Sequence, residues 1–225
     1  MQLEPVPVGL GVRKKMNEHK TPSQLWRENE QLRKRLEETE ASLRVIREQA
    51  THDSLTGVLN RAAILEVLQR ELARCGRDGS SPSLAMADVD HFKSINDTYG
   101  HQVGDEILRE IIRRMRSQVR PYDSIGRYGG EEFLVVAPNC TPTHALTLAE
   151  RLRACVANEP FKTDAGMTPI TLSLGVVTGK GKLSVEALFE LADEALYRAK
   201  QNGRNRVEIT TGGRAGIRTF ARAAN

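Results

Sequence analysis

The sequence has few cysteines: Cys75, Cys140 and Cys155 are odd in number, widely spaced and lack a CxxC pair or a nearby His partner. That pattern speaks against a disulfide framework and against a zinc site, and it suits a reducing cytosol. No apolar run approaches the roughly 20 residues needed to cross a bilayer, so membrane insertion is not expected. Met1 to Lys20 carries charge but no apolar stretch of roughly 7–15 residues before a small-residue cleavage site, and no secretory signal is read there. Aromatic residues are scarce, at 4%, too few to suggest stacking platforms for single-stranded nucleic acid. The net charge of +4 does not mark a basic folded surface either. Residues 51–210 hold 20 Lys or Arg against 21 Asp or Glu, and the excess lies in residues 1–50 and in the arginines of 211–225. Nucleic-acid binding is therefore not expected.

What is present is one core's worth of apolar residues, 39% of 225, with an accessory segment before it. Residues 1–20 lack periodicity and hold two prolines and two glycines, and they read as a flexible leader. Thr21-Pro22-Ser23-Gln24 then supplies an N-cap, a first-turn proline and a capping-box partner, which together start a helix. Over 21–50 the residues Leu25, Asn29, Leu32, Leu36, Thr39, Leu43, Ile46 and Ala50 follow a strict 4,3 spacing, a seam one side chain wide. A parallel pair would bring Glu28 opposite Arg33 and Arg35 opposite Glu40, favourable in both cases. The segment is thus read as a coiled-coil dimerisation helix, the alternative being a single amphipathic helix lying on the domain that follows.

From 51 to 210 helical and strand patterns alternate. Helices are predicted at 61–77, 91–98, 103–119, 142–157 and 184–201. Strands are predicted at 83–89, 122–128, 131–137, 169–178 and 205–210, with Gly129-Gly130 as a hairpin turn. The order contains the βαββαβ arrangement of ferredoxin-like sheets, an α/β (α+β) fold packed with helices. Residues 211–225 show no core pattern and are expected to be a disordered tail.

Two clusters carry chemistry. Met86-Ala87-Asp88-Val89-Asp90 delivers carboxylates at the end of an apolar strand, where a divalent cation can offset their desolvation; helix-capping aspartates are the alternative. Arg127-Tyr128-Gly129-Gly130-Glu131-Glu132-Phe133 sets a carboxylate beside two glycines that let a ligand approach the backbone, unless it is only a solvated turn. With Lys93, Asn96, Asp105, Lys200 and Arg204 they form an inventory for metal-assisted phosphoryl or nucleotidyl transfer. Oxygen ligands without a His or Cys cluster favour Mg²⁺ over zinc or iron.

Together Asp53-Ser54-Leu55-Thr56-Gly57, Asp88-Val89-Asp90-His91-Phe92-Lys93-Ser94-Ile95-Asn96-Asp97, Gly100-His101, Gly104-Asp105, Gly129-Gly130-Glu131-Glu132-Phe133, Ala195-Leu196-Tyr197 and Gly203-Arg204-Asn205 resemble the GGDEF family of diguanylate cyclases in its GGEEF form, over about 51–210. The resemblance implies a nucleotidyl-cyclase sheet that condenses two GTP into cyclic di-GMP. It implies that Asp88, the Val89 carbonyl and Glu131 hold two Mg²⁺ ions, with Mn²⁺ an acceptable substitute, and that Glu131 accepts the proton of the 3′-hydroxyl. Lys93, Lys200 and Arg204 are implied to bind phosphates, Lys93 also stabilising transition-state charge, and Asn96 and Asp105 to read guanine. His101 is implied to lie near the nucleotide. Phe92 would cover the base or ribose unless it is core packing. The same resemblance makes Asp53, Asn60 and Arg61 structural. It also makes Arg120-Pro121-Tyr122-Asp123, with Arg151, a product-inhibition site for cyclic di-GMP. One domain would offer one nucleotide site, so a homodimer is implied. The competing class is an inactive cyclic di-GMP receptor, in which the metal ligands or the Gly-Gly turn would be expected to degenerate; here they are in place.

Overall fold

Apolar side chains fill Ser83–Val89 almost without interruption, the composition of a strand buried on both faces. A computed structural model describes residues 20–78, 82–163, 166–179, 183–212 and 218–222; the leader, apart from Lys20, lies outside the described residues. In chain order the elements are α1 (Pro22–Thr51), α2 (Arg61–Asp78), β1 (Ser83–Val89), α3 (Phe92–Tyr99), α4 (His101–Arg116), β2 (Ser124–Arg127), β3 (Glu132–Ala137), α5 (Pro142–Ala157), β4 (Phe161–Thr163), β5 (Gly166–Thr168), β6 (Leu172–Gly179), α6 (Val185–Gln201), β7 (Val207–Gly212) and β8 (Arg218–Arg222).

Contacts divide the chain into two compact units, Met1–Ile46 and Arg47–Asn225. In the first, Thr21 and Gln24 close the capping box from both sides, with Gln24 N–H donating to Thr21 Oγ1 at 3.3 Å and Thr21 N–H to Gln24 Oε1 at 2.8 Å. The 30-residue α1 buries none of its residues, and Leu25, Leu32, Leu36, Leu43 and Ile46 all remain exposed along the seam. The last turn of α1 belongs to the second unit, because Asn60 fastens it there: its Nδ2 donates to Ala50 O at 2.8 Å and its N–H to Thr51 O at 2.8 Å.

In the second unit the main sheet runs β2-β3-β1-β6-β7-β8. β1 pairs antiparallel with β3 and β6, and β6 pairs parallel with β7, so β1, β2, β3 and β6 form the ferredoxin-like split arrangement, extended by β7 and β8. Strand alternation sorts the core. Ala85, Ala87 and Val89 join Phe133, Val135, Leu174 and Val176 against α4 and α5, while Leu84 and Met86 join Leu134, Val136 and Val177 against α2 and α6. Each face is largely apolar, with Glu208 and Thr210 of β7 as buried polar exceptions that bond to Asn202 and Arg198 of the α6 end.

Four features depart from the sequence reading. A β4–β5 hairpin occupies Phe161–Thr168; its three-residue strands, flanked by Pro160 and Pro169, are too short to show periodicity. β6 starts at Leu172, beyond Pro169, which has no N–H for the ladder. β2 starts at Ser124 because Arg120–Asp123 is closed as a turn, with Asp123 N–H donating to Arg120 O at 3.0 Å and Arg120 N–H to Asp123 Oδ2 at 2.9 Å. Within 211–225, expected to be disordered, Arg218–Arg222 pairs antiparallel with β7 and covers what would otherwise be an open sheet edge.

Candidate active site

The close approach of α6 to β6 sets the geometry at the end of β1. A Cβ on Gly175 would stand 2.2 Å from Ala192 O and from Leu196 N, so only glycine admits this backbone contact. α6 thereby carries Lys200 to β1, where its Nζ meets Asp88 Oδ2 at 2.8 Å. Asp88 is 6% exposed. Burial pushes its carboxyl above the ordinary value, Lys200 draws it back, and Asp90 adds a smaller upward push that Arg204 opposes.

Glu131 enters from the turn just before the neighbouring strand β3. Its carbonyl accepts from Val89 N–H at 3.3 Å, and Tyr128 N–H donates to Glu132 O at 2.8 Å to close the hairpin. A side chain at 129 would collide with the Glu132 carboxylate, whereas a Cβ at Gly130 would meet nothing within 4 Å. Burial raises the Glu131 carboxyl, the Asp88 charge raises it further, and Lys200 acts in the opposite sense. These paired, half-desolvated carboxylates fit a hard divalent cation, whose charge would relieve both terms. No group of three or more His, Cys, Asp or Glu side chains arranged for a metal occurs among the described residues. Two carboxylates and main-chain oxygens suit a cation that keeps several waters and takes its other ligands from phosphate.

Three supporting contacts were not legible from the motifs. Asp90, two residues beyond Asp88, is not aimed at the same place: it accepts from Ser173 Oγ at 2.7 Å, Thr171 Oγ1 at 2.6 Å and Asn205 N–H at 3.0 Å. It anchors the Gly203-Arg204-Asn205 turn, in which Arg204 and Asn205 hold positive φ angles of 59° and 45°. Arg127 donates twice to Gly130 O, at 3.1 and 2.7 Å, and also reaches both oxygens of Asp53 at 3.2 and 3.3 Å. Burial alone would raise the Asp53 carboxyl, but hydrogen bonds from the Thr56 hydroxyl and N–H, together with Arg127, bring it below the ordinary value. A bridge thus runs from the segment after α1 to the Gly-Gly turn. Arg61 stacks on Tyr128, 4.5 Å from the ring centroid, and donates to its hydroxyl at 3.2 Å.

The remaining residues expected to form the site lie at the α3–α4 corner. Lys93 and His101 are exposed, and their side chains make no hydrogen bond or ion pair among the described residues. Asn96 Oδ1 is buried without a hydrogen-bond partner and lies against Gly104, where a Cβ would stand 2.0 Å away; half-buried Asp105 follows directly. An open buried acceptor there is a place for a ligand donor. Phe92, at 5% exposure, is part of the core under α4, and packing accounts for it.

Arg120, Asp123 and Arg151 lie elsewhere, around a small cavity that is also lined by Ala137, Cys140, His144, Thr147 and Leu148. Arg120 donates to the Tyr122 hydroxyl at 3.1 Å, and Arg151 donates to Gln118 O.

The family model described as "Diguanylate cyclase, GGDEF domain" matches residues 50–206. Over 163 residues the chain is 47% identical to diguanylate cyclase DgcP of Pseudomonas aeruginosa, covering 72% of this chain and 24% of that protein. Over 166 residues it is 42% identical to diguanylate cyclase DosC of Escherichia coli, covering 73% of this chain and 36% of that protein. The chain thus spans only about a quarter to a third of these curated relatives. Among solved structures it is similar to the coiled coil and GGDEF domain of DgcB from Caulobacter crescentus in complex with c-di-GMP. That match has a TM-score of 0.76 and 33% identity and covers 82% of this chain and 98% of that one.

Proposed function

The chain belongs to the diguanylate cyclase GGDEF-domain family, and we propose that it condenses two GTP molecules into cyclic di-GMP with release of two pyrophosphates. The observation that carries this reading is the meeting of Asp88 and Glu131 at the β1–β3 end with Lys200 on Asp88 and Arg204 nearby. Each 3′-hydroxyl attacks the α-phosphorus of the opposite nucleotide. A new ester P–O bond forms, the bond to the bridging α–β oxygen breaks, and pyrophosphate leaves.

Glu131 takes the hydroxyl proton. Its upward shift makes it a better proton acceptor than an ordinary surface carboxylate. Asp88, the Val89 carbonyl and Glu131 are the residues to hold two Mg²⁺ ions, or Mn²⁺, which when bound polarise the phosphate oxygens and offset their charge. Lys200 and Arg204 neutralise phosphate charge, and Lys93, whose side chain has no partner among the described residues, does so at the reacting phosphorus. The Asp105 carboxylate accepts from N1–H and the exocyclic amine of guanine, a donor pair that adenine lacks, and Asn96 completes the reading of the base. GTP is therefore favoured over ATP. His101 stands at the rim of this subsite.

The exposed seam of α1 is assigned to a parallel homodimer, in which the helices raise the effective concentration of one half-site for the other. The cavity at Arg120, Asp123 and Arg151 is assigned to product inhibition. No helix among the described residues is long and apolar enough to cross a membrane, and we place the protein in the cytosol.

The test is incubation of purified protein, stripped of bound nucleotide, with GTP and Mg²⁺, followed by chromatography with Glu131→Gln in parallel. Cyclic di-GMP from the wild type alone is the expected result. Absence of product from the wild type would sink the cyclase and leave a cyclic di-GMP receptor.

A further inference from the structure

On α5, His144, Thr147, Leu148 and Arg151 recur at helical spacing and turn one face towards the Arg120–Asp123 turn, and these residues line the same small cavity. Neither Arg120 nor Arg151 is in an ion pair among the described residues. The Asp123 carboxylate accepts from Arg120 N–H at 2.9 Å. The Cys140 thiol, pushed up by burial, senses Asp123 and Arg120 from the cavity wall, which places both charges at this one spot. His144 is exposed. Its N–H donates to Thr141 Oγ1 at 3.3 Å in the cap of α5, and its imidazole makes no hydrogen bond among the described residues. The charged and titratable groups that line the cavity with it are Arg120, Arg151, Asp123 and Cys140.

We propose that His144 is a further ligand of this cavity, donating as imidazolium to a phosphate of the cyclic dinucleotide, so that capture of the product tightens as pH falls. The proposal rests on the reading of the cavity as the product-inhibition site. A cyclic dinucleotide diester keeps its charge across the neutral range, so only the protein titrates. In a cavity that Arg120, Asp123 and Arg151 also line, a bound phosphodiester attracts an imidazolium at position 144 more than a neutral imidazole. Binding must then take up a proton, and a lower pH must favour binding.

Calorimetric titration of cyclic di-GMP into the metal-free, nucleotide-stripped full chain tests this at pH 8 and pH 6, in buffers of differing ionisation enthalpy. The wild type is expected to bind about five- to tenfold tighter at pH 6, the net worth of one hydrogen bond, with uptake of protons. His144→Gln should bind as the wild type does at pH 8 and lose the pH dependence, and His144→Lys should bind tightly at both. If His144→Gln keeps the wild-type pH dependence while Arg120→Ala abolishes binding, the role of His144 is overturned and the inhibitory site stands. If Arg120→Ala binds like the wild type, or the wild type does not bind, the reading of the cavity is overturned and the proposal with it.

Discussion

At the end of β1 the chain gathers carboxylates, whereas around the Arg120–Asp123 turn it gathers guanidinium groups. The first place is half desolvated, and Asp88 and Glu131 both shift upwards there, held together by Lys200 and by the hairpin that presents Glu131. The second lies on the surface, and among the described residues the guanidinium groups of its arginines donate to neutral oxygens, the Tyr122 hydroxyl and the Gln118 carbonyl. Each region is left with a charge that its assigned ligand would neutralise: cations at the carboxylates, an anionic dinucleotide at the arginines. The difference lies in how firmly each is held. The carboxylate end is braced from β6, α6, the Gly203–Asn205 turn and the segment after α1, whereas the arginine cavity lies between one hydrogen-bonded turn, one helix face and the end of β3. A site that does chemistry needs reacting groups fixed in place, and a site that only binds tolerates more freedom.

The largest way to break the comparison is to remove the charge of Glu131. Glu131→Gln should lower kcat by about 10³-fold, within the range for loss of a positioned proton acceptor. Binding of cyclic di-GMP by calorimetry should remain at the wild-type level, because the arginine cavity is separate. Parallel losses of turnover and product binding would show that the two regions are one.

Next in size is the brace itself. Asp90→Ala leaves Ser173, Thr171 and the Asn205 N–H without their common acceptor, and a buried network broken in this way costs about 3 kcal/mol. Denaturant unfolding should report that loss. A cost below about 0.5 kcal/mol would place Asp90 among ordinary surface residues. Asp90 also explains what sequence could and could not disclose. Asp88 and Asp90 are the same residue type two positions apart, and nothing in the string Asp88-Val89-Asp90 says that one faces the open site and the other closes a buried network. The helices and long strands were legible because their periodicity is set by a two-faced core, as Leu84/Met86 and Ala85/Ala87 show. The β4–β5 hairpin and β8 were not: the former has too few residues to alternate, and the latter takes its structure from the edge of β7. Of the site, the motif residues were readable, but their braces were not. Arg127 bonds to Gly130 and Asp53 through contacts whose partners are set by the fold.

Arg127 supplies a sharper, smaller test. Arg127→Gln removes the donors to Gly130 O and to Asp53, and it should cost about 1.5 kcal/mol of stability and lower kcat more than it raises KM for GTP. A merely structural contact would change the unfolding midpoint and leave the activity per folded molecule unchanged. Retention of wild-type kcat would therefore uncouple the segment after α1 from the Gly-Gly turn.

The smallest effect concerns pH and follows from the sign of the carboxylate shift. Glu131 is raised, so the folded protein holds the proton of this group more tightly than the unfolded chain does. The charged form therefore burdens the native state at neutral pH, and that burden is lifted as pH falls through the raised value. Glutamine at 131 is uncharged at every pH. In metal-free, nucleotide-free protein, Glu131→Gln should be more stable than the wild type at pH 7.5 by about 0.5 kcal/mol, the scale of gain seen when a functional site gives up its strain. The gap should be narrower at pH 5, because the raised Glu131 carboxyl takes up its proton at a higher pH than in the unfolded chain. Urea unfolding of both proteins at the two pH values measures this difference. The contribution of Asp53, shifted the other way by Thr56 and Arg127, is common to both proteins and cancels. A gap of constant size would mean that glutamine gains through packing or hydrogen bonding. A narrowing gap would mean that the charge opposing the fold at pH 7.5 is the carboxylate charge that a divalent cation would offset.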